Sequence, residues 1–289
     1  DWLSFSVSGH WLSSSPAELY AIEGEGPNLF RSDWTNWLDW AYLTAGFGSL
    51  SFTLGKDMIT TGGFEFDEYD WDVHPILMSG LWNNFSCYQW GGKVAWTSES
   101  EATGLALQYT ASPYCERPFG EGLLYGSALS LEWRGEYGPY RNIWSVTALP
   151  VEMEGGSHDP LLICLGNRFD AGDFTFGLDW YNRSGDADAV LLDGSTFLAS
   201  VDYSPTDALQ FSLKAGREKA GDLSAEYDSA GNPVSVSARV GDNWFCGASA
   251  AWFPLENLRL HAAGGWNSFY GTASVFVGAL YYLNFNFGK

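Results

Sequence analysis

Apolar and polar residues take turns along most of this chain. In 174–181 Phe174, Phe176, Leu178 and Trp180 alternate with Thr175, Gly177, Asp179 and Tyr181. In 208–216 Leu209, Phe211, Leu213 and Ala215 alternate with Gln210, Ser212, Lys214 and Gly216. In 128–134 Leu129, Leu131 and Trp133 alternate with Ser130, Glu132 and Arg134. Near the end Val275, Val277, Ala279, Tyr281, Leu283, Phe285 and Phe287 share one face. The same period recurs at 49–56 and 103–111, and more loosely at 196–204. A period of two marks strands whose two faces meet different surroundings, and no stretch keeps a helical period for long. The chain reads as all-β.

The connections sharpen this. Short turns at 45–48, 98–103, 135–140, 170–173, 204–207 and 254–257 alternate with long segments at 13–34, 59–85, 112–125, 151–160, 183–195 and 218–242. The last connection, SFYG (268–271), is the one short member of the second set. Short turns at one end and long loops at the other are the layout of a transmembrane antiparallel β-barrel, with periplasmic turns and extracellular loops. The spacing predicts strands near 2–12, 35–44, 48–58, 86–97, 103–111, 126–134, 141–150, 161–169, 173–182, 196–204, 208–217, 243–254, 257–267 and 273–287. That is fourteen, an even number that lets the last strand close against the first in one barrel domain, 1–289. Sixteen is the alternative, because 16–34 has room for a strand and 234–252 is long enough for two.

A soluble sandwich also alternates, but its outer face is polar. Here many strands carry one continuous apolar face opposite Ser, Thr, Gln, Gly and single charges, which fits lipid outside and water inside. Aromatic residues crowd toward strand ends, as in DWTNWLDWAY (33–42) and YQWGGKVAW (88–96), where interfacial girdles want them. The chain closes on Phe287, Gly288 and Lys289, near the terminal aromatic common in such barrels. A secreted, lectin-like β protein is the soluble competitor.

Composition excludes more than it selects. Of 289 residues, 35 are Asp or Glu and 14 are Lys or Arg, a net charge of −21 that leaves no basic face for nucleic acid. Cys87, Cys115, Cys164 and Cys246 are scattered without a CxxC pair, so no zinc site is signalled, and a bridge to Cys115 stays open. The chain begins without a Met or a charged-then-apolar leader, which reads as mature or trimmed protein. No apolar run approaches the roughly 18 residues of a membrane helix.

The run GKDMITTGGFEFDEYDWDVHP (55–75), followed by LWNNFSCYQWGGKVAW (81–96), resembles members of the phosphate-selective porin O and P class of Bacteroidota. LQYTASP (107–113) and FTFGLDWYNRSG (174–185) resemble further segments of that family. The resemblance implies an outer-membrane barrel, often trimeric, that admits small solutes. Phosphate-selective members hold anions on basic lumen and loop residues. Fourteen basic residues in an acidic chain do not support that selectivity.

With the apolar face toward lipid, the lumen candidates are Asp39, Gln89, Lys93, Gln108, Glu132, Arg134, Asp179, Asp202, Lys214, Arg259 and His261. Such charges either set the pore's selectivity or brace the wall by pairing across it. A separate cluster, Glu65, Asp67, Glu68, Asp70 and Asp72, reads as an acidic extracellular loop that Gly62 and Gly63 turn inward over the lumen. It lacks the Asp-x-Asp-x-Asp-Gly turn that wraps Ca²⁺, so no metal is assigned. No hydrolase, metalloprotease or nucleotide motif occurs, and neither an enzyme nor a cofactor is expected. Two functions stand side by side. One is a passive porin of the bacterial outer membrane, surrounded by lipid and lipopolysaccharide, tolerant of cations and unfriendly to anions. The other is a non-conducting barrel that serves as a scaffold among other outer-membrane proteins.

Overall fold

A computed structural model describes residues 2–9, 38–68, 77–79, 81–82, 87–113, 127–149, 151–153, 156–158, 161–184, 195–219, 221–227, 233–240, 243–268 and 271–282. In chain order the strands are β1 Leu3–Gly9, β2 Leu38–Phe47, β3 Leu50–Met58, β4 Tyr88–Thr97, β5 Thr103–Ala111, β6 Ser127–Tyr137, β7 Tyr140–Ala148, β8 Val151–Met153 and β9 Gly156–His158. They continue as β10 Leu161–Ala171, β11 Phe174–Ser184, β12 Ser195–Thr206, β13 Leu209–Glu218, β14 Gly221–Tyr227, β15 Pro233–Val240, β16 Asn243–Leu255, β17 Leu258–Asn267 and β18 Thr272–Tyr281. One four-residue helical turn, α1 (Phe64–Asp67), follows β3.

Fourteen of these strands form one antiparallel sheet in which each strand lies beside its neighbours in sequence. The two other pairs, β8–β9 and β14–β15, are separate hairpins standing in long connections. The expected count of fourteen therefore holds, and 234–252 resolves into β15 and the start of β16. The segment 16–34 lies outside the described residues. β1 and β18 end the strand order, and no ladder joins them among the described residues. The expected closure of the last strand on the first is thus not part of the described pairing. The short connections are tight: Ala171 and Phe174 face each other across two residues, with Gly172 at φ 63, a conformation open to glycine.

Burial inverts the pattern of a water-soluble protein. Leu107 and Leu131 are each 51% exposed, while the next residue inward on the same ladders, Gln108 or Ser130, is 2% or 1% exposed. Leu105, Leu129, Phe176, Leu178, Leu213 and Val277 continue the exposed apolar surface. A belt of this extent is stable only against lipid. At the short-turn end aromatic rings close it off. Tyr203 stacks between Phe174 and Phe211 at 4.5 and 6.3 Å, and Trp133 meets Trp144 edge-on at 5.1 Å. The amide of Asn167 on this outer face is satisfied there, since Tyr140 Oη and Trp144 Nε1 donate to its Oδ1 at 2.7 and 3.2 Å.

Leu131 lies midway along β6 on the outer face. Leu131→Arg is expected to destabilise the barrel by about 2–4 kcal/mol in lipid vesicles. Chemical unfolding measures this, with Leu131→Ala as the reference; equal losses in the two variants would show that this face does not meet lipid.

Candidate functional site

The connection from β3 to β4 does not stay outside. Glycine permits its entry. Gly62 and Gly63 have φ 69 and 74, and a Cβ on either would strike the wall at Ser145 or Tyr181. Across from Gly63, a Cβ on Gly166 of β10 would sit 2.6 Å from the Gly63 Cα, so loop and wall approach backbone to backbone. The descending limb is then tied off step by step. Thr60 N–H donates to Gln108 Oε1 at 2.7 Å, Thr147 Oγ1 to Thr60 O at 3.0 Å, Ser145 Oγ to Thr61 O at 2.6 Å, and Gly63 N–H to Ile143 O at 3.2 Å.

Below that point the chain makes α1, whose first amides meet a wall carboxylate. Asp179 Oδ2 accepts from Phe64 N–H and Glu65 N–H at 3.0 and 2.9 Å. Its other oxygen takes Arg168 at 3.1 Å, and that guanidinium lies 4.3 Å from the Phe64 ring centre. An acid satisfying the free amides of a helical turn offsets the cost of its own burial. Glu65 is fully buried and joins the two limbs of the loop. It accepts from Ser79 N–H and Oγ at 3.0 and 2.5 Å and from Lys214 at 2.6 Å. The returning limb rises past Leu81, whose N–H donates to Glu218 Oε1 at 3.1 Å.

Apolar packing fixes the same position. Ile59, Phe66, Met78, Leu81 and Trp82 of the loop cluster with Leu149, Leu162, Cys164, Tyr181, Leu198 and Phe245 of the wall. The upper inner face of β10, β12 and β16 is thus apolar where an open channel would be wet. Cys87 is a filler at the edge of this cluster, its thiol pushed up to about 12 by burial. Cys87, Cys164 and Cys246 are free thiols, and Cys115 lies outside the described residues.

Three wall arginines receive the tip of the loop. Arg134 binds Asp67 at 2.7 Å and Glu132 at 2.5 Å. Glu68 lies 3.1 Å from Arg141 and 3.5 Å from Arg168, and Arg141 also reaches Asp170 at 3.4 Å. Among the described residues, two cavities with charged side chains in their linings remain beside the loop. The larger, about 330 Å³, has Asp57, Asp67, Glu132, Lys93 and Arg134 in its lining. The other, about 240 Å³, has Glu65, Glu68, Asp179, Asp202, Arg168 and Lys214. Carboxylates outnumber cations in both.

The sequence-predicted residues fall as follows. Glu132 and Arg134 form one pair, and Lys93 binds Asp57 at 2.7 Å. Asp179 and Lys214 hold the loop, while Asp202 accepts a short hydrogen bond from Ser212 beside the second cavity. Gln108 receives the loop, whereas Arg259 and His261 lie buried on β17, away from both cavities. Gln89, also buried, faces Asp57 across the β3–β4 ladder. Asp39 stands at the start of β2. The β1–β2 register steps from Ser8–Trp40 to Gly9–Leu38, so Asp39 is the extra residue of a bulge. Glu65, Asp67 and Glu68 meet wall cations on the inner side, along the inward path that Gly62 and Gly63 permit. Asp70 and Asp72 lie outside the described residues.

Sequence reasoning missed Asp57, Arg141, Arg168, Asp170 and Glu218. A signal for Arg168 existed, because exposed Leu161 and Phe169 put it on the opposite phase. The apolar Leu162 and Cys164 on that same inner phase masked it.

No family model and no curated protein matches the chain. Solved structures do. A triple mutant of the Rhodopseudomonas blastica porin aligns with a TM-score of 0.57 at 13% identity, over 84% of this chain and 77% of that one. A porin refined at 1.8 Å aligns at 0.53 and 9% identity, over 83% and 80%. A loop-deletion mutant of OmpT, an outer membrane protein of Vibrio cholerae, aligns at 0.52 and 12%, over 84% and 79%.

Lys214→Ala is expected to strand Glu65 as an unpaired buried charge and weaken loop docking by about 3–5 kcal/mol. Hydrogen exchange would then rise at 60–68 with the β10–β13 ladders still protected, and Glu65→Gln in the same chain would recover part of the loss. Unchanged exchange at 60–68 in Lys214→Ala would show that this ion pair does not hold the loop.

With its apolar belt and its alternation of short turns and long connections, the chain is an outer-membrane β-barrel of porin-like fold.

Proposed function

We propose that the protein is a passive pore for small solutes in the outer membrane, favouring cations over anions. The carrying observation is the carboxylate surplus in both cavities that flank the inserted loop. In a narrow wet space with low-dielectric walls, such a surplus raises the local concentration of cations and repels anions. The arginines do not reverse this, because Arg134, Arg141 and Arg168 are each matched by carboxylates of the loop or the wall. Kinship with the phosphate-selective porin O and P class therefore enters as architecture, a single barrel domain over 1–289 that assembles as a homotrimer, and not as phosphate selectivity.

A second reading has its own support. The apolar seal between the loop and β10, β12 and β16 suits a permanently filled lumen, as in a scaffold barrel within a larger assembly. Planar-bilayer recording separates the two. The pore reading expects conductance with a reversal potential on the cation side in a salt gradient. It also expects that preference to shrink in Asp57→Asn and Asp202→Asn, which each remove one carboxylate from a different cavity. A silent barrel that purifies with other membrane proteins would favour the scaffold.

A further inference from the structure

Every carboxylate lining the two cavities has a cation within ion-pair distance, with one exception. Asp57 meets Lys93, Asp67 and Glu132 meet Arg134, Glu65 meets Lys214, and Glu68 and Asp179 meet Arg168. Asp202 has none among the described residues. Ser212 Oγ donates to its Oδ1, and its Oδ2 has no partner among them. Two residues earlier on the same strand, Ser200 Oγ is buried and makes no hydrogen bond among the described residues. Both side chains line the smaller cavity, about 240 Å³.

β12 sets these two groups in consecutive rows of the inner wall, roughly 7 Å apart along the strand. The row of Ser200 holds Gly177 on β11 and Lys214 on β13, and the row of Asp202 holds Thr175 and Ser212. Asp179, which holds α1, stands one row above Ser200 and faces Leu198. Gly177 keeps the space between Arg168 and Ser200 open, because a Cβ there would strike Ser200 Oγ and Arg168 Nη1. Below the point where the loop is fastened, the cavity thus offers one unmatched charge and one unmatched hydroxyl.

We propose that this cavity binds a small amino alcohol, with the primary ammonium on Asp202 and the hydroxyl on Ser200. The proposal rests on the reading of the barrel as a cation-favouring pore and names the solute that pore selects. A protonated amine brings hydrogen-bond donors together with the positive charge that Asp202 lacks. Ser200 suits a neutral partner, because Arg168 and Lys214 stand on either side of it. A second ammonium would be repelled there, and a carboxylate would find both cations already matched by Asp179, Glu68 and Glu65. Phe64 and Leu198 in the lining suit the short carbon link between the two solute groups. A bare metal ion fits poorly, since one carboxylate and one hydroxyl supply few of the roughly six to eight oxygens that Ca²⁺ takes.

The test uses the full chain in a nonionic detergent at neutral pH and fixed ionic strength. Binding is read by saturation-transfer NMR on the ligand, which does not depend on conductance. Ethanolamine is titrated beside three relatives. Propylamine has a methyl in place of the hydroxyl, choline has N-methyl groups in place of the ammonium donors, and glycine has a carboxylate in place of the alcohol. Ethanolamine is expected to bind most tightly, with choline about tenfold weaker or worse. Asp202→Asn is expected to weaken ethanolamine by a similar factor. Ser200→Ala is expected to lower ethanolamine to the level of propylamine and to leave propylamine unchanged. Choline that binds as tightly as ethanolamine overturns the proposal, and so does glycine that binds more tightly. Undiminished ethanolamine binding by an Asp202→Asn chain that unfolds like the parent does the same. A silent barrel that binds ethanolamine through Asp202 would sink the pore and keep the site; a conducting barrel that does not bind it would do the reverse.

Discussion

A single buried carboxylate decides what this barrel contains. Asp179 sits on the inner face of β11 and presents one oxygen to Arg168 and the other to two consecutive amides of the loop, Phe64 and Glu65. Because those amides start a helical turn, the carboxylate meets donors that nothing else in the turn can satisfy. Arg168, fixed by Asp179, then covers the Phe64 ring and lies within reach of Glu68. The loop's path, the pairing of its acids and the split of the inner space into two cavities all follow from where this turn is anchored.

That anchor works only because backbone approaches backbone at Gly63 and Gly166. A side chain on either would push α1 away from Asp179 and leave buried charges without partners on both sides. The apolar cluster around Phe66, Leu81 and Trp82 adds attraction without direction, while the hydrogen bonds set the register. Packing energy and polar specificity thus act on the same few residues. The arginines are part of this frame. A ladder of Arg134, Arg141 and Arg168 would attract anions in an empty barrel; with Asp67 and Glu68 lodged among them, it becomes a clasp for an acidic segment.

The fold was legible because lipid imposes a simple rule on strands. Leu107, Leu131 and Leu178 had to face outward, which put Gln108, Glu132 and Asp179 inside by period alone. Turn residues such as those at 170–173 then fixed where one strand stopped and the next began. The lumen face was harder to read. Leu162, Cys164, Leu198 and Phe245 face inward yet are apolar, and no rule of strand period anticipates an inner surface shaped to hold a loop.

From the sequence alone came the all-β class, the fourteen strands, the direction each strand face points and the acidic character of the β3–β4 connection. Those follow from local alternation and turn chemistry, which act between residues close in the chain. The tertiary structure decided where that connection goes and whom its carboxylates meet. Glu65 finds Lys214, Asp67 finds Arg134, and Glu68 finds Arg141 and Arg168, all from strands far along the chain. A carboxylate's partner is set by distance through space, and the sequence records only distance along the chain.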